Sequence, residues 1–238
     1  MLSTTLLETS GLVKHYSGRV VVNEVSITIE RQSIVGLLGR NGAGKSTCLK
    51  SIIGLLRPLS GEIRFEDRRI DRLEPFQIAR LGLGYVPEDR RIFSDLTVLQ
   101  NLEVGRQAAR GRSARWTPQR LFELFPNLGR MQNRLGAQMS GGEQQMLAIA
   151  RTLMGNPKAI LLDEPSEGLA PLIVEQLAST VLELKRERLT VLLCEQNLYF
   201  AQLVADRAFI IERGHLRYAG AMHALAADAD VRDQYLSP

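Results

Sequence analysis

The stretch that most constrains this chain is Gly39-Arg40-Asn41-Gly42-Ala43-Gly44-Lys45-Ser46-Thr47. It fits the spacing G-x-x-x-x-G-K-[ST]. The apolar run before it, Ile34-Val35-Gly36-Leu37-Leu38, predicts a buried strand, and Cys48 to Gly54 after it predicts a helix ended by glycine. Strand, glycine loop and helix together make an anion trap. The glycines let backbone N–H groups curl around a polyphosphate, and the helix N-terminus adds its partial positive charge. Lys45 can reach the β- and γ-phosphates, and the Ser46 hydroxyl can take one Mg²⁺ coordination position. Residues 39–47 are therefore the candidate ATP-binding loop.

A length of 238 residues allows one sizeable domain, or one core with a smaller subdomain. No run approaches the roughly 18 apolar residues that span a bilayer, and the N-terminus lacks a signal-peptide layout. Any membrane role is expected to be peripheral. Cys48 and Cys194 fall on predicted core elements, as in a reduced cytosolic protein. His15, His215 and His223 show no ligand spacing, so no structural metal site is expected. The net charge of +4 is uneven: seven arginines (106, 110, 112, 115, 120, 130 and 134) face one acid, Glu123. A solvated helical face, an anionic membrane surface and nucleic acid all fit that charge. The aromatics there, Trp116, Phe122 and Phe125, are too sparse for a base-stacking platform.

Leu6 to Val13 and Val25 to Ile29 read as strands, as do Glu62 to Phe65 and Gly84 to Val86, with a short helix opening at Pro75. This alternation suits an α/β core around a nucleotide. From Thr97 the pattern turns helical. Thr97-Val98-Leu99-Gln100 is a capping box whose helix should run toward Arg110, and Thr117-Pro118 caps another through Phe125. No strand is expected from about 97 to 157. The core resumes with Lys158 to Asp163, a long helix from Pro171 to about Arg188, the strand Thr190 to Cys194, and a hairpin around Arg213-Gly214. Everything from Met222 onward reads as helix. The expected division is a core and β-subdomain over 1–96 and 158–238, with a helical subdomain inserted at 97–157.

Two further stretches carry chemistry. Ala159 to Leu162 deliver Asp163 to the sheet's carboxyl edge, where it can hold Mg²⁺ through water. Glu164 then faces the γ-phosphate and can act as general base on an attacking water. In Met139-Ser140-Gly141-Gly142-Glu143, Ser140 and Glu143 form another capping box, so a hydroxyl and glycine N–H groups crown a helix dipole. One chain with one nucleotide has little use for two such ends. Two chains head-to-tail do, each signature serine closing over the ATP held by the other.

These motifs resemble the ATP-binding subunits of ABC (ATP-binding cassette) transporters across essentially the whole chain. Residues 39–47 match Walker A, 159–164 match Walker B, and Ser140 to Glu143 resemble the signature. The resemblance implies an α/β, P-loop ATPase core of the ABC type, with an antiparallel β-subdomain and an inserted α-helical subdomain. It places Tyr16 against the adenine. Tyr85 to Phe93, Met139 to Gln145, Glu164 to Pro171 and Cys194-Glu195-Gln196-Asn197 are similar to one branch, the shorter ATPase of high-affinity branched-chain amino-acid importers. That branch implies a second, longer ATPase, two membrane permeases and a periplasmic binding protein as partners. It implies ATP and Mg²⁺ as cofactors, work on the cytoplasmic face of the inner membrane, and no nucleic acid. Urea or amide importers, exporters or lipid-transport ATPases, and soluble ABC ATPases acting on nucleic acid or ribosomes are the alternatives.

The sequence departs from the wider family at three positions. Glu88 stands where most members have the glutamine that touches Mg²⁺ and water, Gln196 where most have the switch histidine, and Ala170 where an aspartate usually crosses the dimer. Lys45, Glu164, Gln196 and Glu88 are thus the catalytic candidates, and Ser46, Asp163 and Glu88 the metal candidates. Arg90, Arg91, Ile92 and Phe93 are expected to meet a permease helix, with Ile92 and Phe93 as apolar floor and the arginines at the rim.

Overall fold

The computed structural model describes residues 4–16, 18–107 and 115–236. The chain opens with two long antiparallel strands, β1 (Thr5–Tyr16) and β2 (Arg19–Glu30), whose register shifts mark bulges. Next come β3 (Ile34–Leu38), α1 (Lys45–Ile52), β4 (Ser60–Phe65), β5 (Arg68–Arg69), α2 (Pro75–Leu81) and β6 (Leu83–Val86). Among the described residues four α-helices follow: α3 (Val98–Val104), α4 (Pro118–Leu124), α5 (Pro126–Arg130) and α6 (Gly141–Met154), with a 3-10 turn at Gly136–Gln138 before the last. Then come β7 (Ala159–Asp163), α7 (Pro171–Arg186), β8 (Thr190–Glu195), α8 (Leu198–Val204), β9 (Arg207–Glu212) and β10 (His215–Ala221). Helices α9 (Met222–Ala227) and α10 (Ala229–Tyr235) end the described chain.

Two sheets result. One is antiparallel in the order β2-β1-β4-β5; the other runs β10-β9-β3-β8-β7-β6 and is parallel except at β10. The parallel strands are apolar on both faces because both faces are covered. Ile34, Leu38, Ile160, Leu162, Val191 and Leu193 pack toward α6, α7 and α8. Val35, Leu37, Leu161 and Leu192 pack toward α1 and the antiparallel sheet. Pairing of Leu38 with Glu195 and of Asp163 with Cys194 brings the carboxyl ends of β3, β8 and β7 side by side. That register positions the site.

Local differences from the expected elements have local causes. The helix expected to run toward Arg110 stops at Val104, with Gly105 as its C-cap donating its N–H to the Leu102 carbonyl at 2.9 Å; a side chain there would strike the Arg151 carbonyl. Arg110 and Arg112 lie outside the described residues. Phe125, just before a proline, leaves the helical conformation (φ −121°, ψ 74°) and ends α4, and Pro126 starts α5. The C-terminal helix is broken at Asp228, whose side chain caps α10 by accepting the Val231 N–H. Helix α8 was not expected; Asn197 caps it by accepting the Phe200 N–H.

The arginine-rich region is partly neutralised. Arg115 and Arg120 pair with Glu187 at 3.0 and 2.6 Å while flanking the Trp116 ring, and Arg106 pairs with Glu103. Arg130 and Arg134 are exposed. Among the described residues no helix is long and apolar enough to cross a membrane.

Candidate active site

The loop at 39–47 turns sharply between β3 and α1. Gly42 and Gly44 have φ of 77° and 113°, a region that L side chains rarely adopt. At Gly44 a Cβ would also lie 2.5 Å from the Val21 carbonyl. Gly44→Ala is therefore expected to cost about 3 kcal/mol of stability, read as a lower urea midpoint at unchanged slope.

Lys45 is 3% exposed. Its Nζ donates to the Gly39 carbonyl at 2.8 Å and the Arg40 carbonyl at 3.1 Å, and pairs with Glu164 Oε1 at 3.0 Å. The ammonium is thus aimed back across its own loop toward the end of β7. Arg40, Asn41 and Gly42 are exposed along the loop, while Ala43 is buried beneath it and Ser46 and Thr47 are half-buried at the start of α1.

Asp163, at the end of β7, is 1% exposed. Its Oδ1 accepts the Ser46 hydroxyl at 2.8 Å and its Oδ2 accepts the Tyr85 hydroxyl at 3.0 Å. Burial holds its carboxyl above the usual range, with the Ser46 and Tyr85 hydrogen bonds pulling the other way. The Tyr85 hydroxyl is pushed up by burial and by the neighbouring Asp163. Tyr85 fixes the Asp163 carboxylate from a strand that the sequence marks only as core.

Glu164 follows with φ of 46°, left-handed for a non-glycine residue, and its N–H donates to the Cys194 carbonyl at 3.0 Å. This strained turn points the carboxylate at Lys45. Glu167 stands close to both Glu164 and Glu88; burial and then those two carboxylates raise its pKa. Glu167 thus stands between Glu164 and the exposed Glu88, which follow β7 and β6 in distant parts of the sequence. Gln196 is exposed at the turn after β8. Burial pushes the Cys48 thiol up to about 12 and raises Cys194 as well, so both are inert core thiols.

The donor set around Ser46 and Asp163 is all oxygen, as a hard divalent cation requires. Among the described residues no group of three or more His, Cys, Asp or Glu could hold a metal alone. Mg²⁺ would have to complete its shell with phosphate oxygens and water, which is how it binds with nucleotides.

The remaining candidates lie elsewhere. Tyr16 is 42% exposed at the end of β1, with Lys14 Nζ 5.6 Å from its ring centre. Ser140 is exposed and caps α6: its Oγ accepts the Glu143 N–H at 3.3 Å, and Glu143 Oε2 accepts the Ser140 N–H at 2.8 Å. A side chain at Gly142 would strike Ile173. Among the described residues no hydrogen bond or ion pair joins residues 140–143 to residues 39–47.

Residues 90–93 do not all share one surface. A groove of about 480 Å³ between α2 and β6 on one side and α3 and α6 on the other is lined by Arg91 and Phe93, but not by Arg90 or Ile92. Arg90, with φ of 60°, has its guanidinium against α6, where Nη1 would lie 2.9 Å from a Cβ at Gly141. Ile92 packs on the core of the helical region. Phe93 is 47% exposed, with the Arg151 guanidinium 5.2 Å from its ring centre. Arg151 was not singled out from sequence; its Nη2 donates to the Arg90 carbonyl at 3.2 Å, and burial lowers its pKa.

Residues 22–167 match the ABC transporter family. The chain is 42% identical over 225 residues to the high-affinity branched-chain amino acid transport ATP-binding protein BraG of Pseudomonas aeruginosa, covering 94% of this chain and 97% of that one. It is 37% identical over 232 residues to the lipopolysaccharide export system ATP-binding protein LptB of Escherichia coli K12, covering 97% and 96%. The fold superposes on a crystal structure of the ADP conformation of MJ1267, an ATP-binding cassette of an ABC transporter, with TM-score 0.82, 27% identity, and 97% and 98% of the two chains covered.

Proposed function

We propose a role in import for this chain, which belongs to the ABC transporter family, binds ATP and is one of the family's ATP-hydrolysing subunits. The observation that carries the site assignment is the meeting of Lys45 with Glu164 and of Ser46 with Asp163 at the head of α1. A triphosphate seated on residues 39–47 takes over the Lys45 ammonium. Glu164 is then released from its ion pair to accept a proton from the attacking water. Ser46 and Asp163 would hold Mg²⁺, with Glu88 nearby; the ion supplies charge neutralisation of the phosphates. Gln196 hydrogen-bonds a phosphate oxygen without carrying charge. Tyr16 offers its ring face to the base. Ser140, Gly141, Gly142 and Glu143 close over the nucleotide of an opposing ATPase, offering its phosphates the capped N-terminus of α6.

The cargo is a branched-chain amino acid, carried through two permeases with a second, longer ATPase and a periplasmic binding protein. The chain would sit peripherally on the cytoplasmic face of the inner membrane, with no nucleic-acid partner. The relation to BraG and the residues at 85–93, 139–145, 164–171 and 194–197 support this reading. The relation to LptB supports a second one, an export ATPase for a lipid-linked glycan. Co-purification decides between them. Import requires permeases whose ATPase rate rises with a binding protein loaded with leucine, isoleucine or valine. Recovery of an export channel with no response to amino acids would overturn it.

The groove lined by Phe93, Arg91 and Arg151 is where a permease helix docks. Phe93→Asp places a charge on a half-exposed apolar contact. It should leave the melting temperature within a few degrees while permease co-purification and transport fall at least tenfold. Normal assembly and transport by Phe93→Asp would remove this groove from the interface.

A further inference from the structure

Glu195, the last residue of β8, is an acidic side chain only 1% exposed, and nothing above gives it a task. Burial pushes its carboxyl up to about 7, against hydrogen bonds from Ser166 and from the Asn197 N–H. A buried carboxylate without a cationic partner is costly to keep. Its contacts show what it holds. Oε1 accepts the Ser166 N–H at 3.0 Å and Oε2 accepts the Asn197 N–H at 3.2 Å. Its backbone carbonyl accepts the Gly39 N–H at 3.3 Å.

One residue thus ties together the three segments that meet at the carboxyl edge of the sheet. Gly39 starts the phosphate loop, Ser166 lies two residues past Glu164, and Asn197 follows Gln196 and caps α8. A carboxylate bridges two backbone donors because both oxygens accept. An amide in its place accepts with one atom only and turns N–H groups against the second donor.

We infer that Glu195 is a positioning residue for hydrolysis, its two carboxylate oxygens holding the Glu164–Ser166 turn and the Gln196 loop at a fixed separation across the γ-phosphate. This rests on the site assignment proposed above, in which Glu164 and Gln196 face the nucleotide. Lys45 and residues 40–47 do not depend on the side chain, so ATP binding should survive its alteration while the chemical step does not.

The test uses the assembled transporter carrying Glu195→Gln or Glu195→Asp, the second keeping the charge but losing one methylene of reach. Both should bind MgATP within about twofold of the parent, measured with a fluorescent ATP analogue. Both should hydrolyse it at least tenfold more slowly, with KM little changed. Amide hydrogen exchange should quicken at Ser166 and Asn197 together and stay unchanged along α1. A folded Glu195→Gln complex with parental kcat overturns the inference, as does a parallel loss of ATP affinity and rate. In the parent itself, exchange rates at Ser166 and Asn197 that respond differently to MgATP also overturn it. A parent complex that does not hydrolyse ATP refutes the assignment of the site instead, so the two failures are distinguishable.

Discussion

Glu164→Gln is expected to cut ATP turnover of the assembled complex by a hundredfold or more, on the order of 3 kcal/mol of transition-state stabilisation. The substitution conserves volume and can still hydrogen-bond a water, but an amide oxygen is too weak a base to take its proton. Binding should not suffer. In the structure Glu164 holds the Lys45 ammonium at 3.0 Å, and an entering triphosphate competes with it for that ammonium. A neutral side chain at 164 lets go more readily, so ATP affinity should hold or rise, and the variant should accumulate as an ATP-bound dimer. Phosphate release and size-exclusion chromatography with MgATP check both halves. Unchanged turnover would remove Glu164 from the mechanism. A variant that neither turns over nor dimerises would show that its role is structural.

Lys45→Ala is expected to act in two ways at once. It removes the cation that meets the phosphates, so ATP binding should become undetectable at millimolar nucleotide. It also strands Glu164, which is 9% exposed, without its partner. Breaking a buried pair from one side typically costs about 3–5 kcal/mol, because the remaining charge is left in low dielectric. The nucleotide-free protein should therefore melt well below the parent. The double variant Lys45→Ala/Glu164→Gln should regain most of that stability and none of the ATP binding. Strict additivity of the two substitutions in a denaturant titration would mean that the pair contributes nothing to the folded state.

Much of the site was legible because its parts are coded locally. The G-x-x-x-x-G-K-S spacing places backbone donors, a lysine and a hydroxyl within a few residues of one another. The capping box at Ser140 and Glu143 forms as the spacing predicts, since both hydrogen bonds close within one helical turn. Pro118 and Pro171 start helices for an equally local reason, a preset φ and no N–H to lose. What the spacing of residues along the chain does not carry is contact between distant segments. Helix α3 ends at Gly105, where the approach of Arg151 from another helix leaves no room for a side chain, and the Arg90 guanidinium lies against Gly141 rather than in the groove. The glycine is a local stop signal, whereas the Arg90 contact leaves no mark in the residues next to it.

By itself the sequence determined that a phosphate-binding loop, an acid-ended strand and a serine-capped glycine helix exist, and which residues form each. Only the tertiary structure decided what they touch. Parallel pairing of β3, β8 and β7 lays their carboxyl ends together, so that Lys45 meets Glu164 and Ser46 meets Asp163 across more than a hundred residues of chain. The same register puts the Tyr85 hydroxyl on Asp163 and the Glu195 carboxylate between Ser166 and Asn197. The physical reason is that hydrogen-bond geometry within a turn or cap is fixed by spacing along the chain. Strand order and register are fixed instead by burial of both sheet faces, which no short stretch of sequence contains.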